Sequence, residues 1–600
     1  MCGIAGLVSK PSGSGQSARD AVQGMIDRMS ARGPDGQGVW QEEGVALGHR
    51  RLAILDLDAR ANQPMVSGDG RYVIVFNGEI YNFRELRRTL EADGVAFRTT
   101  SDTEVVLALF AREGEHMLPR LRGMFAFAIW DTHARELFLA RDPYGIKPLY
   151  YAQTKNGFLF ASQVKALLAS GLLSVEREPA AVAGFYLWGS VPEPWTLVRD
   201  AFALRAGHWL RIRNGMPAAP VCWSDIGEQW RECDQPVPAA ELRDRVRAAL
   251  NDTVRAHLVS DVPVSVFLSG GVDSATLAGL ATDLGARVDG ITIGFEEFAG
   301  RPDDEVPVAS AIAAHYGLRH HVRRVSRAEF DQDIPRILDA MDQPSIDGVN
   351  TWFASKAAAE NGFKVVLSGV GGDELFRGYP LFSEIPRAVA LGRAAAAIPG
   401  LRTLLRIPCA QLARIRSQPK LAGLPAHMNS IDGMYFLRRG LFLPEELPAL
   451  MGTDLAREGV ARLETQLGQV TTESEDDAAT VGLLESTRYL RNQLLRDSDW
   501  ASMAHSLELR TPFVDATLLE ALGPYTSGFA NGAGKAMIAQ SPRKPLPAAV
   551  VNRPKTGFGL PMNEWLSSTA QRGSKDPAML TTPGTPWARR WAKQVIDRMP

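Results

Sequence analysis

Two apolar runs along the chain stop abruptly at small residues. The first, Val264-Ser265-Val266-Phe267-Leu268, ends in Ser269-Gly270-Gly271. Asp273 and Ser274 follow, and then Ala275, Leu277, Ala278, Leu280 and Ala281 recur at helical spacing. This pattern predicts a buried strand, a tight loop and the start of a helix. The second run, Val365-Val366-Leu367, ends in Ser368-Gly369-Val370-Gly371-Gly372-Asp373-Glu374 and repeats the same grammar. Between them Asp289–Phe295 predicts another buried strand, and Ala309, Ile312, Ala313 and Tyr316 predict a helix behind Asp303-Asp304-Glu305. Helical periodicity also runs from Ala239 to Leu258. Strands alternating with helices predict a parallel, doubly wound sheet, with ligands at the carboxyl ends of its strands.

The first third of the chain has a different rhythm. Val73–Phe76 and Gly123–Asp131 predict strands, the first ending in the polar string Asn77-Gly78-Glu79-Ile80-Tyr81-Asn82. A helix over Val105–Phe110 follows Ser101 and Asp102, either of which suits its N-cap. Charged turns stand at Arg32-Gly33-Pro34-Asp35-Gly36, at Arg51–Asp56 and at Arg141–Tyr151. Pro192, Pro194 and the polar stretch 213–240 mark a change of character. The expected organisation is one domain over 2–210, a linker over 211–239, a second domain over 240–570 and a Pro-, Thr- and Gly-rich tail over 571–600 without a motif.

Composition narrows the classes. Six hundred residues exceed a single core. A net charge of −2 and a pI near 6.6 leave no basic footprint for nucleic acid. No apolar run reaches membrane-spanning length, and Met-Cys-Gly-Ile is no signal peptide. Cys2, Cys222, Cys233 and Cys409 fit neither a zinc site nor a disulfide framework, so a reducing cytoplasm is expected.

Two places carry chemistry. The glycines at 270–271 let an anion approach backbone N–H groups at a helix N-terminus, and Ser269 and Ser274 add hydroxyl donors. Asp273 makes sense there as a holder of a divalent cation shared with phosphates. At the other end, removal of Met1 would leave Cys2 with its own α-amino group as general base; taken alone, Cys2 reads better as a buried cysteine near a terminus.

The string Ser269-Gly270-Gly271-Val272-Asp273-Ser274 resembles the pyrophosphate loop of enzymes that split ATP into AMP and pyrophosphate. Residues 2–200, behind Met-Cys-Gly-Ile-Ala-Gly, resemble the N-terminal-nucleophile glutaminase domain, which implies an α/β/β/α sandwich of antiparallel sheets. Taken together and in order, the chain resembles glutamine-hydrolysing asparagine synthetases. The resemblance implies that Cys2 attacks glutamine, that Asn77 and Gly78 form the oxyanion hole, that Arg51 grips the glutamine carboxylate, and that Glu79 and Asp102 take its ammonium. It implies ATP contacts at Leu268, Ser269, Gly270, Gly271, Ser274, Ile293, Ser368 and Gly369, and Mg²⁺ between Asp273 and Asp373. Lys555, in Arg553–Pro561, and Lys535 are the implied cations at the phosphates; a solvated surface lysine is the alternative for each.

Implied partners are glutamine, ATP and an acceptor carboxylate, in a homodimer, with no nucleic acid and no membrane. The reaction implied is aspartate to asparagine with release of AMP and pyrophosphate, ammonia passing through an internal tunnel. Two departures weaken aspartate as the acceptor. Val370 stands where asparagine-forming members carry a glutamate, and Lys535-Ala536-Met537-Ile538-Ala539 lacks the arginine of the family's Lys-x-x-Leu-Arg string. Another carboxylate, of polysaccharide or natural-product amidation, is the alternative.

Overall fold

The computed structural model describes residues 2–10, 18–231, 235–398, 400–415, 418–467, 476–554, 559–567, 577–581 and 584–599. The amino-terminal third folds as two stacked antiparallel sheets. Across the first run Ala201–Ala203, Tyr150–Gln153, Gly157–Ala161, Gly3–Ser9, Val45–Arg51 and Gly36–Glu42. Across the second run Met216–Pro217, His208–Arg213, Glu136–Arg141, Gly123–Asp131, Tyr72–Ile80 and Met65–Val66.

Strand parity sorts the side chains into three apolar layers. Ile4, Val8, Val45 and Leu47 meet Val73, Val75, Ala126 and Ala128 between the sheets. Ala5 and Leu7 pack instead on the helix Ala18–Arg28, and Ile74 and Phe76 on the helix Asp102–Glu113. The result is the α/β/β/α order expected from the sequence.

The second half is built on a five-stranded parallel sheet, in the order His320–Val325, Asp289–Phe295, Val264–Phe267, Val365–Leu367, Glu508–Arg510. Leu277 and Leu280 of the helix Val272–Asp283 cover one face beside Val264 and Val266. Trp352 and Phe353 of Val349–Glu360 cover the other beside Ile291 and Ile293. Doubly wound cover of this kind follows from strands that are apolar on both faces.

Two expectations shift. The strand His208–Arg213 runs through the expected boundary at 210, and Met216–Pro217 and Val221–Cys222 add to the same sheet. These edge strands are two residues each and largely exposed, too short to show an alternating pattern in the sequence. The tail contains a helix, Trp587–Arg598, whose Trp591, Val595 and Ile596 are buried in the core of the second half. Residues of one half also close elements of the other. Asp342 accepts hydrogen bonds from the amides of Val164 and Lys165 at 2.9 and 3.0 Å, capping the helix Val164–Ala169.

Candidate active site

Parity also assembles the amino-terminal site. Along Gly3–Ser9 the even positions face the second sheet, and Cys2 continues that face ahead of Ile4. Along Tyr72–Ile80 the odd positions Val73 and Val75 face the first sheet, and Asn77 and Glu79 continue them. His49 and Arg51 extend the same face beyond Val45 and Leu47. The strand therefore does not end at Asn77, as its polar residues suggested; it runs on to Ile80 and delivers them to the rim of the interlayer.

There the Cys2 amide donates to Asn77 Oδ1 at 3.0 Å. Asn77 Nδ2 is buried without a hydrogen-bond partner, a donor held ready for an oxygen that the chain itself does not supply. A Cβ at Gly78 would collide with the Met124 carbonyl oxygen, so only glycine fits this register. Burial pushes the Cys2 thiol above its ordinary value, opposed by the Leu52 amide and Arg51. His49 is fully buried and held down to about 3, so it is neutral and unsuited to act as a cation.

Two carboxylates stand at the other end of this site. Burial lifts Asp102 to about 6, although it accepts the Ile80 amide at 3.0 Å. Burial, then Glu508 and Asp102, push Glu79 well above the carboxylate range, against the Arg510 guanidinium 3.7 Å away. An ammonium entering here would meet carboxyl groups short of positive charge. Arg51 is committed elsewhere: its Nη1 donates to Asp58 O and Asn62 Oδ1 at 2.8 Å, and its Nη2 to the Leu55 and Asp56 carbonyls.

The second site lies where the two glycine-rich loops touch. The Ser269 and Ser274 hydroxyls share a 2.8 Å hydrogen bond, and the Gly271 amide donates to Ser269 Oγ at 3.1 Å. Leu268 continues the strand, its amide bonded to Ile291 O at 2.8 Å. A Cβ at Gly369 would lie 3.0 Å from that of Asp273, and one at Gly372 2.7 Å from its carboxyl carbon. The glycines thus set how closely the loops pack. The Ser368 amide donates to Arg510 O at 2.8 Å, and Ser368 Oγ faces the Val370 amide at 3.5 Å.

Asp273 and Asp373 converge on one cation, the Lys535 ammonium, at 2.5 and 2.7 Å. Burial works against that charge, but the two carboxylates outweigh it and raise Lys535 above its ordinary value. This pair of hard oxygen donors around a positive charge fits a divalent cation. Lys555 lies outside the described residues. The Ile293 side chain is buried in the core with Trp352 and Phe353, and the Thr292 hydroxyl beside it donates to Leu268 O at 2.6 Å, which ties this strand to the first loop.

Three groups escaped the sequence reading. Arg553 packs against Gly270, where a Cβ would strike its guanidinium, and donates to Pro302 O at 3.2 Å. Arg510 joins Glu508, at 2.6 Å, to Glu79 of the other half. Arg32 spans Cys2 and Asp499. The only sequence signal was Glu508-Leu509-Arg510, opposite charges at i and i+2 in an apolar setting, hence on one face of a strand.

A single apolar cluster joins the two sites. It runs from Leu52, Ile54, Met124 and Ile146 to Val266, Leu367 and Leu490, with Val370 packed against it. Beside it a cavity of about 320 Å³ opens between the segment around Trp188 and the π-helix Glu485–Leu495, lined by Tyr435, Arg439, Arg488, Tyr489 and Arg491 among others.

Comparisons with known proteins follow the same division. Residues 1–221 match the glutamine amidotransferase domain family, and residues 245–578 match the asparagine synthase family. The chain is 32% identical to a glutamine-hydrolysing asparagine synthetase of Bacillus subtilis, over 95% of its own length and 88% of the relative's. A putative one of Mycobacterium bovis is 36% identical over 94% and 88%. The amidase chry2 of Gibberella zeae is 31% identical over 64% of this chain and 60% of its own.

Proposed function

The chain belongs to the asparagine synthase family of glutamine-hydrolysing ligases, and on that footing we propose that it forms an amide on an ATP-activated carboxylate, with aspartate as the first acceptor to test. Cys2, freed of Met1, adds to the glutamine carboxamide carbon. Asn77 Nδ2 and the Gly78 amide take the oxyanion, and ammonia leaves. Glu79 and Asp102 hold the glutamine ammonium. Arg51, if it is to hold the carboxylate, must first give up loop carbonyls at 55–58.

In the second site the acceptor carboxylate displaces pyrophosphate from the α-phosphorus of ATP, and ammonia then displaces AMP. Ser269, Gly270, Gly271, Ser274, Ser368 and Gly369 cradle the nucleotide, with Arg553 at Gly270 and Lys535 as the cations the chain itself provides. Asp273 and Asp373 would hold Mg²⁺, which when bound neutralises phosphate charge. Lys535 would then turn from the carboxylates toward the phosphates.

The observation that carries this reading is the convergence of Asp273 and Asp373 on the Lys535 ammonium where the two glycine-rich loops touch. The test is pyrophosphate release with ATP, Mg²⁺, glutamine and aspartate, with asparagine assayed by mass. Asparagine formed in step with pyrophosphate supports the reading. Glutamine hydrolysis without asparagine rejects aspartate.

A second reading keeps the chemistry and changes the acceptor. Val370 supplies no carboxylate, and the cavity beside Tyr489 is of the size that holds a ligand larger than an amino acid. A larger carboxylate acceptor satisfies both.

A further inference from the structure

From Ile385 to Ile431 the chain carries seven arginines and lysines and not one aspartate or glutamate, although 68 acidic residues are spread over the 600. This stretch forms most of a hairpin of two helices, Leu381–Ala396 and Leu401–Ile415, whose one acid, Glu384 in the first turn, is paired with Arg438. The first is anchored by Leu381, Phe382, Ile385 and Val389 in the core of the second half. The second lies on the surface, with Ala413 buried and most other described positions open.

The open positions are apolar to an unusual degree. Leu391 and Leu404 are each 72% exposed, Ile407 70% and Ile415 80%. Leu404, Ile407 and Ile415 fall on one face, since intervals of three and eleven residues are close to whole helical turns. Of the thirteen large hydrophobic side chains exposed among the described residues, six stand between Leu391 and Ile415. Scattered exposed hydrophobic side chains are ordinary; six of thirteen gathered on one hairpin form a patch. Arg387, Arg393 and Arg406 are exposed on the same hairpin, with Arg393 3.8 Å from Asp477 at its base.

We propose that this hairpin seats the enzyme on an anionic lipid surface, its leucines and isoleucines entering the headgroup layer and its arginines meeting the lipid phosphates. An amphipathic helix with apolar and basic residues and no acid is suited to that interface. Charge decides between occupants: a second copy of the same face would bring arginines against arginines, whereas an anionic bilayer supplies the missing negative charge. The contact is peripheral, because no helix among the described residues is long and apolar enough to cross a membrane. It lies outside both catalytic sites.

The test is flotation of the full-length enzyme with phosphatidylcholine vesicles, with and without phosphatidylglycerol, at low and high salt. Binding is expected only with phosphatidylglycerol and is lost at high salt. The double variant Leu404→Asp/Ile407→Asp should not float, and Arg406→Gln should bind about fivefold more weakly, the worth of one arginine at such a surface. Glutamine hydrolysis should be unchanged in both, which shows that they fold. Equal binding to neutral vesicles overturns the proposal, as does absence of binding by active wild-type enzyme. So does a dimer in solution that the double variant dissociates, which would make the face an interface between copies.

Discussion

Cys2 and Asp499 are held by one guanidinium: Arg32 donates Nε to the Cys2 carbonyl oxygen at 3.0 Å and its two terminal nitrogens to Asp499 at 2.6 and 3.0 Å. The proposed nucleophile is thereby fixed in position by the half of the chain that carries the phosphate loops. Lys147 Nζ stands 3.8 Å from the same carboxylate. Asp499→Asn would leave two buried cations facing a neutral amide, and should cost about 3–5 kcal/mol of stability. Denaturant unfolding measures it; a loss within error of zero would show that the pair adds nothing.

Cys2→Ala should separate the two half-reactions. Glutamine hydrolysis should fall by at least about a thousandfold, as when a nucleophile is removed from a preorganised site. Pyrophosphate release with ammonium salts in place of glutamine should persist. If both are lost, the two sites are not the independent stations described.

Asn77→Ala removes the unpartnered Nδ2 and the acceptor of the Cys2 amide. The kcat for glutamine should drop by roughly 10²–10³, with a smaller change in KM, as expected of an oxyanion donor. A change confined to KM would place Asn77 on the ground-state substrate instead.

Asp102 links activity and stability to pH with opposite signs. Burial raises it from 3.8 to about 6, so between those values the folded chain binds more protons than the unfolded one. Its contribution to stability is full below 3.8 and is lost as pH rises through about 6. Glutamine's ammonium prefers the ionised carboxylate, so KM for glutamine should fall as pH rises through about 6. Asp102→Asn should flatten that profile and raise KM throughout; an unaltered profile in the variant would assign the titration to another group.

Asp273→Asn should cut pyrophosphate release to a small residual rate while leaving glutamine hydrolysis intact; an unchanged rate would reject the metal role. The substitution also leaves Lys535 with one carboxylate partner in place of two. Titrating Mg²⁺ against the residual rate would read the metal role directly, since a weakened site needs more metal for half-maximal activity.

What could be read from the chain alone follows from distance in sequence. A phosphate loop draws its serines, glycines and aspartate from six consecutive residues, and an amino-terminal nucleophile is read at position two. Arg32, Asp499 and Arg510 owe their importance to partners hundreds of positions away, and no local pattern encodes such a pairing. The strand Asp289–Phe295 was legible from its apolar run, but which of its faces Ile293 and Thr292 occupy depends on register, which no local pattern fixes. The edge strands at 216–222 were hidden by their length, two residues each among prolines and alanines.

The cap that Asp342 places on the helix Val164–Ala169 bears on the order in which this protein is made. When residues 164 and 165 leave the ribosome, the carboxylate that closes their helix has not yet been synthesised, and neither has Asp499, the counter-ion of Arg32. Until both are made, two helix amides and one buried guanidinium of the amino-terminal half lack their partners, although the apolar layers of its sheets are complete without them. The last step in making this protein is therefore the fixing of an already folded half, with the Cys2 backbone among the parts fixed last.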